Sequence, residues 1–463
     1  MIALIATVVC IAWILWLYFL DREPGVRTAK ALWIPTAWLL INASRPVSAW
    51  MQRTSVESLA QQYTEGSPLD AAVFGILILA AVVVLNFRPR QTANLLRHNL
   101  PLLLFFGFAA ISILWSDFSF IALKRWSKAI GDLIMIVVVL TDGQPVAAVK
   151  RFFARTAFVL LPLSVLLIMF YPGLGSAYFP DDRMVEYFGV TTNKNMLGMT
   201  ALVLGLASLW SFLCAYGDRG MPHRSRHLLA HGMMVGTAMC LILRANSVTS
   251  LSCFGLAGAV MVMLSQRSVI RWRNGPHVIV GAAVAFPIFA VFIDTMGSLL
   301  HFLGRNSTLT DRTLIWNAVL SLHTNPFIGT GFESFWLGGR LASVWSLSVH
   351  GIQEAHNGYI EVYLNLGWIG LLMLGAALIA GYRDSLAAYR SNPQVGRLRL
   401  AFLTAAVVYS LSEAGFRMMS PIWIAALLMI AVSPLGFQPQ EQPQWAALPQ
   451  ARDVRRGQAR VLQ

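Results

Sequence analysis

The feature that most constrains this chain is a series of hydrophobic runs containing no charged residue. Ile2–Leu20 is the first, and 71–85, 100–115, 159–170 and 422–432 repeat the pattern. A run of ~20 apolar residues is long enough to cross the hydrocarbon core of a bilayer as a helix. Only 12% of the residues are charged and 57% are hydrophobic, against about 25% charged in soluble domains. The expected fold is therefore an all-α polytopic membrane protein of about 12–13 transmembrane helices. They are placed near 2–20, 31–43, 71–86, 100–115, 129–140, 153–171, 196–216, 228–243, 250–265, 278–293, 358–380, 399–411 and 421–433.

No Lys or Arg precedes the first run and no small-residue cleavage site follows it, so it is read as a retained helix rather than a signal peptide. Arg22, Arg27 and Lys30 follow it instead. When successive connections are assigned to opposite sides, most of the 35 Lys and Arg fall on the side that holds these three. That side is expected to be cytoplasmic, with the N-terminus outward. The net charge of +14 is then spread over short cytoplasmic connections beside anionic lipid. A nucleic-acid binder would gather it with aromatics on one soluble surface, so no nucleic-acid partner is expected.

Residues 1–433 are expected to form one integral bundle, and 434–463, rich in Pro, Gln and Arg, a disordered cytoplasmic tail. One external connection, 294–357, is far longer than a plain link needs to be and is the expected seat of chemistry. Within it Thr310, Asp311 and Arg312 precede an apolar series at helical spacing, Leu314, Ile315, Ala318, Val319 and Leu322. This predicts a capped amphipathic helix on the membrane surface. Asn325–Pro326 ends it, and Gly329–Thr330–Gly331 supplies a turn whose backbone can approach a ligand closely.

Arg312, placed in the first turn of that helix, can clamp a diphosphate with its guanidinium fork, or can simply pair with Asp311 or lipid headgroups. His356 opens the following helix at the water boundary, where an imidazole can act as a base or merely cap the helix. Glu361, one turn further in, must face a polar cavity or be protonated. Other external groups that can line the same site are Arg45, Lys124, Arg125, Lys194, Asn195, Arg244, Glu413 and Arg417, with Asn357, Tyr359 and Tyr363 beside His356. Each is also an ordinary interfacial residue when taken alone. Asp132 is read as structural, paired with Lys128 one helical turn away.

Cys10, Cys214, Cys240 and Cys253 form no CxxC pair and are read as packing residues. No nucleotide-binding or metal-protease motif and no credible Cys/His metal spacing is read in the sequence, and the external histidines His301, His323, His350 and His356 lack a ligand pattern, so neither metal nor cofactor is expected. Asp181–Asp182 offers a possible cation turn, with a solvated acidic turn as the plainer reading.

The order of the pieces is more specific than any one of them. Gly189-Val-Thr-Thr-Asn-Lys-Asn-Met-Leu-Gly198 is followed by Asp311-Arg-Thr-Leu-Ile-Trp316, Asn325-Pro-Phe-Ile-Gly-Thr-Gly331 and Glu354-Ala-His-Asn-Gly-Tyr359. This resembles the O-antigen ligase and Wzy-type polymerase superfamily, over most of residues 30–433. Gly66-Ser-Pro-Leu-Asp70 and Leu114-Trp-Ser-Asp117 extend the resemblance toward exopolysaccharide polymerases of the ExoQ type.

The resemblance implies an inverting, metal-independent glycosyltransferase of the C type. It would act at the periplasmic face of the bacterial inner membrane on sugars linked to undecaprenyl diphosphate, with a chain-length regulator and export proteins as partners. Arg312 and His356 match the family's loop arginine and histidine. One departure is that Ser247 is followed by Val248, where the family often has a basic residue; Arg244, one turn earlier, is the candidate replacement. Transfer of finished glycan by a ligase, and transport of lipid-linked sugar without bond formation, are the competing readings.

Overall fold

The computed structural model describes residues 1–431 except Pro24, 52–66, 180–183, 293–307, His323 and 348–350. The proposed tail, Asp181–Asp182, His301, His323 and His350 lie outside the described residues. Among the described residues the protein is almost wholly helical, and each apolar segment named above contains a helix. Among the described residues six helices are long and apolar enough to cross a membrane: Ile2–Leu20, Pro68–Asn86, Pro145–Phe170, Lys194–Gly217, Arg224–Ala245 and Gly358–Ser391. A seventh span would join Pro89–His98 to Leu100–Trp115 through a bend of 87°.

The remaining expected spans are shorter or more charged. Val248–Met263, Gly275–Phe289 and Pro421–Ile430 are apolar but short. Ser119–Leu140 carries Lys124, Arg125, Lys128 and Asp132, so it is long enough but less apolar. The difference from the expected 12–13 thus lies in which helices cross in full, while the chain remains a multi-pass membrane protein. Ile2–Leu20 and Pro68–Asn86 leave many large hydrophobic side chains exposed, as helices facing lipid do, whereas Pro145–Phe170 and Lys194–Gly217 are mostly buried at the centre.

Polar residues within the bundle are paired over long sequence distances. Asp132 accepts from the Trp38 indole at 2.7 Å and from the Met419 backbone at 2.7 Å. The expected pairing with Lys128 is replaced: that ammonium lies 5.8 Å from the Phe74 ring centroid. Buried Arg399 donates to the carbonyls of Met429 (2.7 Å) and Ile430 (3.3 Å), satisfying groups that the end of the Pro421–Ile430 helix leaves unpaired. All four cysteines are free; Cys10, Cys214 and Cys253 are buried and Cys240 is exposed.

The connection between Phe292 and Gly358 has a small core of its own. Ile315 and Val319 of the Thr308–Ser321 helix pack with Phe335, Trp336, Leu341, Val344, Ala355 and Leu364. The helix begins at Thr308, earlier than the capping pattern implies, so Arg312 sits beyond the first turn and away from the free N–H groups there.

The glycine turn also behaves differently from expectation. Gly358–Ser391 is broken at Gly367, whose φ is 64°, and the turn docks into that break. Thr330 N–H donates to Leu364 O, Gly331 N–H to Asn365 O, and Trp368 N–H to Pro326 O. The close approach that Gly329 and Gly331 allow is therefore to this protein's own backbone.

Candidate active site

Six charged side chains from four separate parts of the chain meet beside the start of the broken helix. Arg312 donates through Nη2 to Glu413 Oε1 at 2.7 Å. The other oxygen of Glu413 lies 3.2 Å from His356 Nδ1, and Glu354 Oε1 lies 3.0 Å from the same nitrogen. Arg417 links Glu354 Oε2 (3.5 Å) to Glu333 Oε2 (3.4 Å). Arg125, from Ser119–Leu140, donates to the backbone carbonyl of Glu333. Glu413 is only 5% exposed, so its charge requires these partners.

Local backbone chemistry aims these groups. Asn357 caps Gly358–Ser391 by accepting from the N–H groups of Tyr359 (3.0 Å) and Ile360 (3.1 Å), and its amide donates to Leu411 O. Gly358 N–H donates to Ser410 O at 2.8 Å. Between these anchors His356 is held at φ 48°, and Glu333 is held at φ 52°. Left-handed backbone is unfavourable for such residues by about 1–3 kcal/mol and collects where side chains must be aimed.

Burial disfavours a charged imidazole at His356, but its contacts with Glu354 and Glu413 outweigh that and push its pKa up to about 10. Burial likewise works against the Glu354 carboxylate, yet His356, Arg417 and Arg312 hold its pKa below the usual value. At neutral pH the two carboxylates favour the imidazolium form of His356. The histidine and its two carboxylates titrate as one unit. Glu354, His356 and Glu413 also have the geometry of a cation cluster, although Arg312 and Arg417 already balance the two carboxylates.

Other predicted residues have partners within the fold. Arg45 donates to the carbonyls of Thr191 (2.8 Å), Gly189 (2.8 Å) and Leu174, fastening the segments on both sides of the Ser176–Phe179/Met184–Tyr187 hairpin. The Tyr359 hydroxyl donates to Val407 O at 3.1 Å. Glu361 is buried, accepts from the Trp336 indole (2.9 and 3.0 Å) and the Ala355 backbone, and lines a small cavity with Glu333, Asn365 and Arg417.

Lys194 pairs with Glu186 of the hairpin, and the Arg244 guanidinium lies 5.4 Å from the Tyr187 ring centroid. Asn195 is half-buried in the first turn of Lys194–Gly217. This second cationic group meets the first through the start of Val248–Met263. There Gly198 packs on Ser247 and Ser250, and Thr249 Oγ1 lies 3.0 Å from Ser412 Oγ, next to Glu413.

The family model for O-antigen ligase matches residues 232–375, a stretch that holds Arg244, Arg312, Glu333, Glu354 and His356. That stretch is similar to the O-antigen ligase family. It is also 22% identical over 336 residues to the exopolysaccharide production protein ExoQ of Rhizobium meliloti (strain 1021), covering 70% of this chain and 73% of that protein. It is accordingly a membrane enzyme of the glycosyltransferase type with a polysaccharide polymerase or ligase role. Glu413 and Arg417, in the turn between Tyr409 and Pro421, lie beyond the matched segment. Glu333 and Glu354 were absent from the sequence-derived candidates. A buried acid beside each candidate base or cation was the signal available, but the sequence does not say which acid approaches which cation.

Proposed function

We propose that the protein joins undecaprenyl-diphosphate-linked oligosaccharide repeat units at the periplasmic face of the inner membrane, by a metal-independent displacement that inverts the anomeric centre. The observation that carries this reading is the shared carboxylate: Glu413 binds the cation Arg312 on one oxygen and His356 on the other. A lipid diphosphate is already a good leaving group, and cations that hold its developing charge lower the barrier. Arg312 is assigned that role, with Arg244 and Lys194 as further phosphate contacts.

The acceptor hydroxyl attacks the anomeric carbon as the bond to the diphosphate oxygen breaks. The bonding electrons leave with the diphosphate. The hydroxyl proton passes to His356 in its unprotonated form, and Glu354 and Glu413 hold the imidazolium that results. The outward face follows from the distribution of Lys and Arg toward the opposite connections. A chain-length regulator and export proteins would act on the product.

The test is elongation of an undecaprenyl-diphosphate oligosaccharide by purified full-length protein, alongside His356→Ala and Arg312→Ala at matched membrane levels. Longer lipid-linked products from the wild type and none from either variant support the polymerase reading. Transfer only when a lipid or protein acceptor is added selects the ligase alternative. A wild type that forms no bond with any acceptor yet moves lipid-linked sugar across liposomes selects transport.

A further inference from the structure

A second constellation of ligand atoms lies at the other end of one of the helices that builds the site. His227 and His231, four residues apart on one face of Arg224–Ala245, converge on Asp21, which follows the Ile2–Leu20 helix. His227 Nδ1 and His231 Nε2 are each 3.0 Å from the same oxygen, Asp21 Oδ1. The histidines are 2% and 4% exposed. Arg244 is near the opposite end of the same helix, roughly 20 Å away at ~1.5 Å per residue, so this cluster is separate from the candidate active site.

As hydrogen bonding alone the arrangement is poor. If both imidazoles donate to Asp21, His227 Nε2 and His231 Nδ1 are left buried without a hydrogen-bond partner among the described residues. Each such group is costly in a folded protein. A divalent ion between the three side chains resolves the mismatch. It takes the lone pairs of His227 Nδ1 and His231 Nε2 together with an Asp21 oxygen, which moves the imidazole protons to the two outer nitrogens.

His227 Nε2–H then faces Glu23 Oε1, 3.7 Å away, as a carboxylate that orients a metal-bound histidine does. Tetrahedral zinc ligands sit ~3.3 Å apart, and the three candidate ligand atoms here lie within 4.8 Å of one another. The adjoining cavity of ≈ 20 Å³ has room for one water as a fourth ligand. Lys150 and Arg151 also line it, but their charges are directed elsewhere. Arg151 donates to Thr28 Oγ1 at 2.9 Å and Val26 O at 2.7 Å, and Lys150 lies 5.7 Å from the Trp210 ring centroid.

We propose that Asp21, His227 and His231 bind one divalent transition-metal ion, with zinc the best match to two imidazoles and a carboxylate. The ion ties the end of the first helix to Arg224–Ala245 at the face bearing Arg22, Arg27 and Lys30. Its position keeps it out of the glycosyl-transfer step, and the proposal does not rest on that chemistry.

The experiment uses full-length protein with a tag free of histidine, purified in detergent, stripped with chelator and titrated with Zn²⁺ and Co²⁺. One tightly bound equivalent by elemental analysis, visible Co²⁺ absorption and a zinc-dependent rise in Tm are expected. Asp21→Asn and His231→Gln abolish the equivalent, Glu23→Gln weakens it about tenfold, and His356→Gln leaves it unchanged. Should a ligand variant fail to fold, the stripped wild type decides alone: no stoichiometric cobalt spectrum and no zinc-dependent Tm shift overturn the proposal. Loss of the bound ion in His356→Gln but not in Asp21→Asn overturns it as well, by assigning the ion to Glu354, His356 and Glu413.

Discussion

Glu413 holds Arg312 at 2.7 Å with one carboxylate oxygen and His356 at 3.2 Å with the other, so one buried acid fixes both groups to which chemistry is assigned. Replacing it with Gln keeps the shape and removes the charge. Glu413→Gln is expected to lower kcat about 10–100-fold, part of the ~10²–10⁴ that general-base catalysis supplies. The rising limb of the pH–rate profile should move to lower pH, because His356 loses one of the two carboxylates that raise its pKa. Rates of lipid-linked chain elongation measured from pH 6 to 10 check both. A loss of rate with the limb unmoved would mean that Glu413 only supports the fold.

The pH dependence of stability has a definite sign. His356 is raised from an ordinary value of 6.5 to about 10 in the folded protein. Its contribution is therefore fully present below about pH 6.5 and is lost as the pH rises through about 10. Glu354, held low, contributes above its ordinary value of 4.5 and loses that contribution as the pH falls. The Tm of the detergent-solubilised protein should fall by several degrees between pH 7 and 10. In His356→Gln that slope should flatten, and differential scanning fluorimetry reads the difference.

Arg45 separates a scaffold cation from a substrate cation. All three of its carbonyl acceptors belong to the segment between Leu174 and Thr191, and its guanidinium stacks 5.0 Å from Trp50 and 5.3 Å from Phe188. Arg45→Ala should destabilise by about 2–5 kcal/mol, the scale of losing several charge-assisted hydrogen bonds. The surviving protein should keep its KM for the lipid diphosphate within about twofold. Arg45→Lys should not restore Tm, since an ammonium lacks the planar fork. Arg244→Ala should do the reverse, raising KM with little change in Tm, as its guanidinium lies exposed over Tyr187.

These contrasts show what was legible in the sequence. The helices could be read because lipid demands long apolar runs, and the order of the motifs singled out Arg312 and His356. Pairings between distant segments could not be read. Arg312 and Glu413 are 101 positions apart, and the local Asp132–Lys128 rule lost to contacts with Trp38 and Met419. Asn357, Tyr359 and Glu361 have polar side chains suited to a sugar site, and a cap, a carbonyl and an indole engage them. The pair His227 and His231 was passed over as a ligand spacing, because its third partner lies about two hundred residues earlier at Asp21.

The break at Gly367 makes the strongest demand on a single residue. Its φ of 64° lies where L-residues are strained, and an added Cβ would collide with the carbonyl carbon of Phe327. Neither the helix backbone nor the docked 325–331 turn can yield without losing the bonds at Thr330, Gly331 and Trp368. Gly367→Ala is expected to cost about 2–5 kcal/mol, from backbone strain and overpacking together. It should also loosen Glu333, which follows the turn, and with it Arg417. Gly375 lies further along the same helix with nothing within 4 Å of an added Cβ. Gly375→Ala should therefore be neutral or stabilising by up to about 1 kcal/mol. Thermal unfolding of the two variants in detergent makes the comparison. Equal Tm values would mean that the turn is not seated in the break, and would remove the support argued here for the loop that carries Glu333.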